Sequence, residues 1–445
     1  MSPAEGSTVA ARPRDGEAAR VAAEARLRAA VLPTAVLETL ARLEAAGFEA
    51  ALVGGCVRDL VRGEAARDFD VATAAPVEVV LRLFPRAVPT GFRHGTVMVP
   101  TPAGPIDVTS YRAGPALEAD LAHRDFSVNA LAFRPALPRQ PGGRAGIALG
   151  ALVDPFGGAA DLAAGELRAV GSAEARLAED PLRALRAARL VAELALRPEP
   201  GLEAALAASA PTLQSVARER VRQELSRLLL APHAGLGLAL LRRTGLEAAL
   251  VPGAAPDAVA LVPRLPLDLA LRLSAWLRGA RVGALLARWR FPRRVTEEVL
   301  ALLRAHPVER DVDPRSPAAL RRLLQRCGED RVDALVALRR AEAEAAREER
   351  PAFAAEVLRA LEPLERALAA LRASGRPALD RLDLALDGEG VMAFLGCGPG
   401  PRVGAALRFL TDRVLEDPAC NTPDGLRELL AAWRDVACEA TRRNA

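Results

Sequence analysis

The stretch "RDFDVATAA", residues 67–75, holds two acidic residues separated by one aromatic and runs into Val71, Ala72 and Thr73, which read as a buried strand. Side chains alternate faces along a strand, so Asp68 and Asp70 share one face while Phe69 and Val71 pack behind. A carboxylate pair held this way repels itself and calls for compensation. A hard divalent cation supplies it, since Mg²⁺ takes one or two carboxylates together with substrate phosphates. Taken alone, a D-x-D reads first as a solvated edge strand, so the neighbouring residues must decide.

Upstream, "LVGGCVRD" (52–59) ends an apolar strand in two glycines and opens a helix, where backbone N–H groups can approach a triphosphate closely. Gly54 and Gly55 form the turn, and Arg58 stands one helical turn further on. Downstream, "HGTVMVP", the turn "TPAG" and "IDVTSY" predict a hairpin, in which Asp107 shares a face with Thr109 and Tyr111 and is the candidate third carboxylate. A phosphate cradle beside a carboxylate pair suits phosphoryl or nucleotidyl transfer.

The rest of the 445 residues sets this in context. Apolar residues make up 51%, enough for real cores, and the net charge is +4 with every basic residue an Arg. Guanidinium suits phosphate-bearing partners, although genome composition explains the same bias. The cysteines at 56, 327, 397, 420 and 438 have neither zinc nor disulfide spacing, so reduced thiols and a cytoplasmic location are expected. No signal-like or membrane-spanning run is found, and neither a membrane nor a DNA partner is expected.

Residues 1–30 read as a mobile or loosely helical tail. Residues 31–172 read as a mixed α/β head, in which "PTAVLETLARLEAAG" predicts a helix and "RPALPRQPGGRAG" (134–146) an exposed loop. Beyond Ser172, Leu and Ala recur at helical spacing, so the fold class is α+β, an N-terminal palm followed by an all-helical remainder. "GCGPG" (396–400) has no preceding strand and reads as a turn between helices rather than a phosphate loop.

Together these residues resemble the class II nucleotidyltransferases, the bacterial tRNA CCA-adding enzymes and poly(A) polymerases. "LVGGCVRDLVRGEAARDFDVAT" (52–73) is similar to the family's first motif and "DLAHRDFSVNALAF" (120–133) to its second. "LVDPFGGAADL" (152–162) is similar to the third, and "AEDPLRALRAARLVAEL" (178–194) to the fourth, nucleotide-selecting one. "LGCGPGPRVGAAL" with "NTPDGLRELL" looks like the helical tail.

The resemblance implies a head at 31–172, a neck at 173–232 and a tRNA-binding body and tail at 233–445. It implies Mg²⁺ on Asp68 and Asp70, helped by Asp107, and nucleotide binding by Gly54, Gly55, Arg58 and Arg124. Asp180 and Arg183 would read the base. A carboxylate accepts from the amine of cytosine or adenine, where uracil and guanine present a carbonyl. Arg183, Arg186 and Arg189 follow every three residues and would form a spiral of donors. The alternative for Asp180, followed by Pro181, is a helix cap, and the two roles are compatible. Asp125 and Asn129 would brace the site.

The implied substrates are CTP, ATP and the acceptor and T arms of tRNA. "GFRHGTV" (91–97) resembles the tRNA enzymes more than the poly(A) polymerases. None of the histidines has an adjacent Asp, so no phosphohydrolase activity is expected. Only "AGPALEA" (113–119) separates Arg112 from Asp120, where many CCA-adding relatives carry a longer loop. The resemblance ties a short loop to enzymes that add two cytosines alone, so CCA addition, CC addition and addition of the adenosine alone are all open.

Overall fold

The computed structural model describes residues 15–66, 68–91, 95–112, 114, 116–136, 150–310, 312–375 and 383–443. The chain divides after Pro252 into two compact units.

The first unit opens with helices α1 (Asp15–Ala29) and α2 (Thr34–Ala45), strand β1 (Ala50–Val53) and helix α3 (Gly55–Arg62). Then come β2 (Phe69–Thr73), α4 (Val77–Leu83), β3 (Val88–Gly91), β4 (Thr96–Thr101) and β5 (Gly104–Ser110). Next are α5 (Leu117–Ala122), a 3₁₀ turn at Ser127–Asn129, β6 (Ala132–Pro135), β7 (Gly150–Val153), α6 (Gly158–Ala164) and β8 (Glu166–Leu167). The helical part follows: α7 (Ala173–Glu179), α8 (Leu182–Leu194), α9 (Pro200–Ser209), α10 (Arg218–Leu230), α11 (Ala234–Arg243) and α12 (Leu246–Leu250), with β9 (Arg197–Pro198) between α8 and α9.

Seven strands form one sheet in the order β3-β4-β5-β2-β1-β6-β7. Only the β2–β5 pair within it is parallel. Strand alternation divides its residues between two apolar layers. Leu52, Val71, Ile106 and Val108 join the core beneath α2 and α3. Ala51, Val53 and Ala72 join Leu117 and Leu121 of α5 on the opposite face. Asp70 and Asp107 have the parity of Ala72, so they stand on the α5 face, beyond the end of its apolar cover.

Three sequence expectations change here. Half of the supposed tail is α1, whose Ala23 and Leu27 are spaced one turn apart and buried in the core, with Arg26 donating to the Val61 carbonyl at 2.9 Å; residues 1–14 lie outside the described residues. In the predicted loop 134–146, Arg134 and Pro135 belong to β6, and 137–146 lie outside the described residues, as do 92–94 of "GFRHGTV". The helical part is not wholly helical, because β9 pairs in parallel with β8.

Helix α8 is almost entirely buried, and its alanines let other helices approach closely. A β-carbon at Gly237 of α11 would lie 2.7 Å from the Ala188 carbonyl oxygen. The second unit is helical from Ala258–Leu261 to Pro423–Arg443 and includes a stacked Trp276–Trp289 pair. "GCGPG" joins two of its helices, Gly388–Leu395 and Pro401–Glu416. No helix among the described residues is long and apolar enough to cross a membrane.

Candidate active site

A cavity of about 840 Å³ in the first unit is lined by Gly54, Gly55, Arg58, Asp68, Asp70, Asp107, Arg124, Arg183, Arg186 and Arg189. Of the candidate catalytic and nucleotide-binding residues named from the sequence, only Asp180 is absent from this lining.

The two glycines have separate reasons. Gly54 sits at φ +76, and a β-carbon there would lie 2.6 Å from a terminal nitrogen of the Arg124 guanidinium. Gly55 starts α3, so the amides of its first turn face the cavity end of β1.

Asp70 is directly opposite Asp107 in the β2–β5 ladder. Burial pushes the Asp70 carboxyl up to about 6; Arg124 opposes this, while Asp107 and Asp68 add to it. Burial and the charge of Asp68 also raise Asp107. Asp68 is exposed and lies just outside the strand expected to contain it. The ladder starts at Phe69↔Ile106, and the next residue back on β5 is Pro105, which has no N–H to pair.

These three carboxylates share the cavity with no positive charge between them strong enough to restore Asp70 to its ordinary range, which fits a cation site. Among the described residues no three His, Cys, Asp or Glu side chains already converge as a metal cage. An ion here would therefore draw further ligands from water and substrate phosphates, as Mg²⁺ does.

The arginines separate into two kinds. Arg58 is buried, donating from Nε to Asp59 at 2.9 Å and from Nη1 to Asn129 Oδ1 at 2.8 Å. Arg183 is held by Glu179 at 2.6 Å and by the carbonyls of Arg176 at 2.9 Å and His123 at 3.2 Å. Arg189 is buried between Glu224 of α10 and Glu193, at 2.5 and 2.6 Å. A buried guanidinium needs such partners, so Arg189 pins α8 to α10, and the expected spiral of equivalent donors is broken. Arg124 and Arg186 each keep a buried Nε–H with no hydrogen-bond partner among the described residues.

A buried polar chain joins α3 to α8. Asn129 accepts from Arg58 and donates to Asp125 at 3.3 Å, and Asp125 pairs with Arg186 at 3.0 Å. Burial alone would raise the Asp125 carboxyl, but Arg186, Asn129, the Phe126 amide and Arg124 together hold it below its ordinary value. Asp180 stands between α7 and α8, where it accepts from the Leu182 amide at 3.1 Å and from Arg220 of α10 at 2.7 and 3.5 Å. Sequence reasoning missed Arg220. Its signal is an Arg in the first turn of a helix, against the helix dipole.

A family model for the poly A polymerase head domain matches residues 50–168, and one for a probable RNA- and SrmB-binding site of polymerase A matches 196–257. The CCA-adding enzyme of Geobacillus stearothermophilus is 32% identical over 432 residues, covering 89% of this chain and 95% of that protein. The chain belongs to the class II tRNA nucleotidyltransferase family.

Like other class II tRNA nucleotidyltransferases, it combines a mixed α/β head with a helical remainder. The crystal structure of the Bacillus stearothermophilus CCA-adding enzyme in complex with CTP superposes with a TM-score of 0.72 at 29% identity, covering 91% of this chain and 98% of that one. The CC-adding tRNA nucleotidyltransferase of Shouchella clausii is 41% identical over 187 residues, 42% of this chain and 46% of that protein. The chain spans about half the length of several curated relatives that it matches at higher identity.

Proposed function

We propose that this chain adds cytidine and adenosine to the 3′ end of tRNA, using CTP and ATP in the cytoplasm. The observation that carries this reading is the Asp70–Asp107 pair beside the Gly54–Gly55 turn, with Arg124 lying over that turn. In the reaction the RNA 3′-hydroxyl oxygen attacks the α-phosphorus and releases its proton to solvent, the bond from the α-phosphorus to the bridging oxygen breaks, and pyrophosphate leaves.

Asp68 and Asp70, with Asp107, would hold Mg²⁺, which when bound supplies the positive charge for the 3′-hydroxyl and the triphosphate. Arg124 and the amides that follow Gly54 bind the phosphates. Arg58 supports that turn from Asn129 and Asp59 rather than reaching out. Arg186 keeps its place through Asp125, and Asp180 with Arg183 reads the base edge. The head spans 31–172 with α1 packed onto it, followed by a neck at 173–232 and a body and tail at 233–445 that bind the acceptor and T arms through backbone and shape.

CC addition alone is favoured by one observation. Helix α5 begins at Leu117, whose side chain is fully buried, so the helix takes residues 117–119 of the short loop and leaves a still shorter connector after β5. In the family reading, a connector with less reach is less able to re-aim the site from cytosine to adenine.

The test is incubation of the purified chain with Mg²⁺, CTP, ATP and tRNA lacking its 3′ end, with products resolved at nucleotide resolution. Full CCA ends support the first reading, and a stop after two cytosines supports the second. Long adenosine tails, or no extension, would overturn both.

A further inference from the structure

The carboxylate assigned to base reading is already occupied. Arg220 donates to both oxygens of Asp180, one of which also accepts from the Leu182 amide. Asp180 is thus turned toward α10 and does not line the cavity, although Arg183 and Arg186 of the adjoining helix do. It is close enough for its charge to help hold Arg186 protonated, behind the contributions of Asp125 and Glu224.

Two further features bear on what Arg220 does. It lies in the first turn of α10, where a cation works against the helix dipole, so its place is not explained by helix stability. The pair is also partly open to water, with side-chain exposures of 49% for Arg220 and 28% for Asp180. Ion pairs this exposed are weak and readily exchanged. Arg189, buried in the same helix pair between two carboxylates, has no such freedom.

We infer that Arg220 is a positioning residue for nucleotide selection: it withholds Asp180 until a base bearing an amine displaces it. The inference rests on Asp180 reading the base, as proposed above. A cytosine or adenine amine must compete with the guanidinium for a carboxylate oxygen, so apparent affinity is reduced by the fraction of Asp180 left free. Uracil and guanine present a carbonyl there and gain nothing when Arg220 lets go.

The experiment compares Arg220→Gln, Arg220→Lys, Asp180→Ala and the double variant Arg220→Gln/Asp180→Ala, all as full chains, in single-nucleotide addition with each of the four nucleotides. Arg220→Gln is expected to lower KM for CTP and ATP about two- to fivefold, with kcat changed less than about twofold and UTP and GTP unmoved. Arg220→Lys, which keeps the charge but not the two-pronged contact, should fall between the parent and Arg220→Gln, and Arg220→Gln should have no effect once Asp180 is Ala. A parent-like KM for CTP in Arg220→Gln, or an equal shift for UTP, overturns the inference while leaving base reading intact if Asp180→Ala loosens selection. Parent-like selection in Asp180→Ala removes base reading itself, and the inference with it.

Discussion

Asp70 of β2 and Asp107 of β5 face each other in a parallel ladder, one residue along from the buried Val71–Val108 pair. The apolar side of each strand is committed to the core, so the carboxylates have no other face to occupy. Burial, with smaller contributions from Asp107 and Asp68, lifts Asp70 to about 6. A carboxyl raised this way favours the native state below its unfolded pKa near 3.8, and that contribution is lost as pH rises through about 6. In chelator, Asp70→Asn should therefore be more stable than the parent above pH 6, by about 1–2 kcal/mol, and the difference should close toward pH 4. Millimolar Mg²⁺ should raise the melting temperature of the parent but not of the variant. Nucleotide addition should fall at least about a hundredfold. Equal stabilisation of both proteins by Mg²⁺ would count against the metal site.

Gly54→Ala addresses the phosphate turn. The backbone at φ +76 is strained for any side chain, and a methyl group would meet the Arg124 guanidinium at 2.6 Å. The expected result is a loss of about 1–2 kcal/mol in denaturant melts and a KM for CTP raised severalfold, because Arg124 must move off the turn. A parent-like KM would mean that Arg124 does not depend on this glycine for its position.

Leu27→Ala tests whether α1 is part of the folded head. Leu27 is fully buried, and α1 packs against α3 and α6. A loss of about 2–5 kcal/mol is expected for a buried leucine, against essentially none for a residue in a loose tail. Urea denaturation monitored by far-UV circular dichroism separates the two.

Legibility in the sequence followed the range of the interaction. The strands around Asp70 and Asp107 could be read because alternation is local and each apolar residue has its own layer to enter. The burial of helix α1 was missed because its buried residues stand among Ala, Arg and Glu that suit a solvated chain equally well. The arginines at 183, 186 and 189 looked equivalent because spacing fixes angle around a helix but not partner. Glu224, which captures Arg189, and Arg220, which captures Asp180, come from α10, 35 and 40 residues further along. Asn129 occupied the middle ground: its bracing role was legible from the motif, but not its place between Arg58 and Asp125.

The second unit offers a test independent of catalysis. His306 donates from Nε2 to Glu342 at 3.0 Å as a neutral imidazole, and Glu342 is also paired with Arg339 at 2.6 Å and with Arg278. Burial, followed by the charges of Arg278 and Arg339, pushes His306 down to about 4. The unfolded chain takes up the proton near 6.5, so His306 contributes its full share of stability above that pH, and the share is lost as pH falls from about 6.5 to 4. The loss should reach on the order of 3 kcal/mol for a group this buried. His306→Gln retains a donor for Glu342 and has no proton to gain. Its stability should therefore fall less steeply than that of the parent between pH 7 and pH 4, with the two curves parallel above pH 7. Urea melts at half-unit pH intervals provide the comparison, and parallel curves over the whole range would mean that His306 titrates normally.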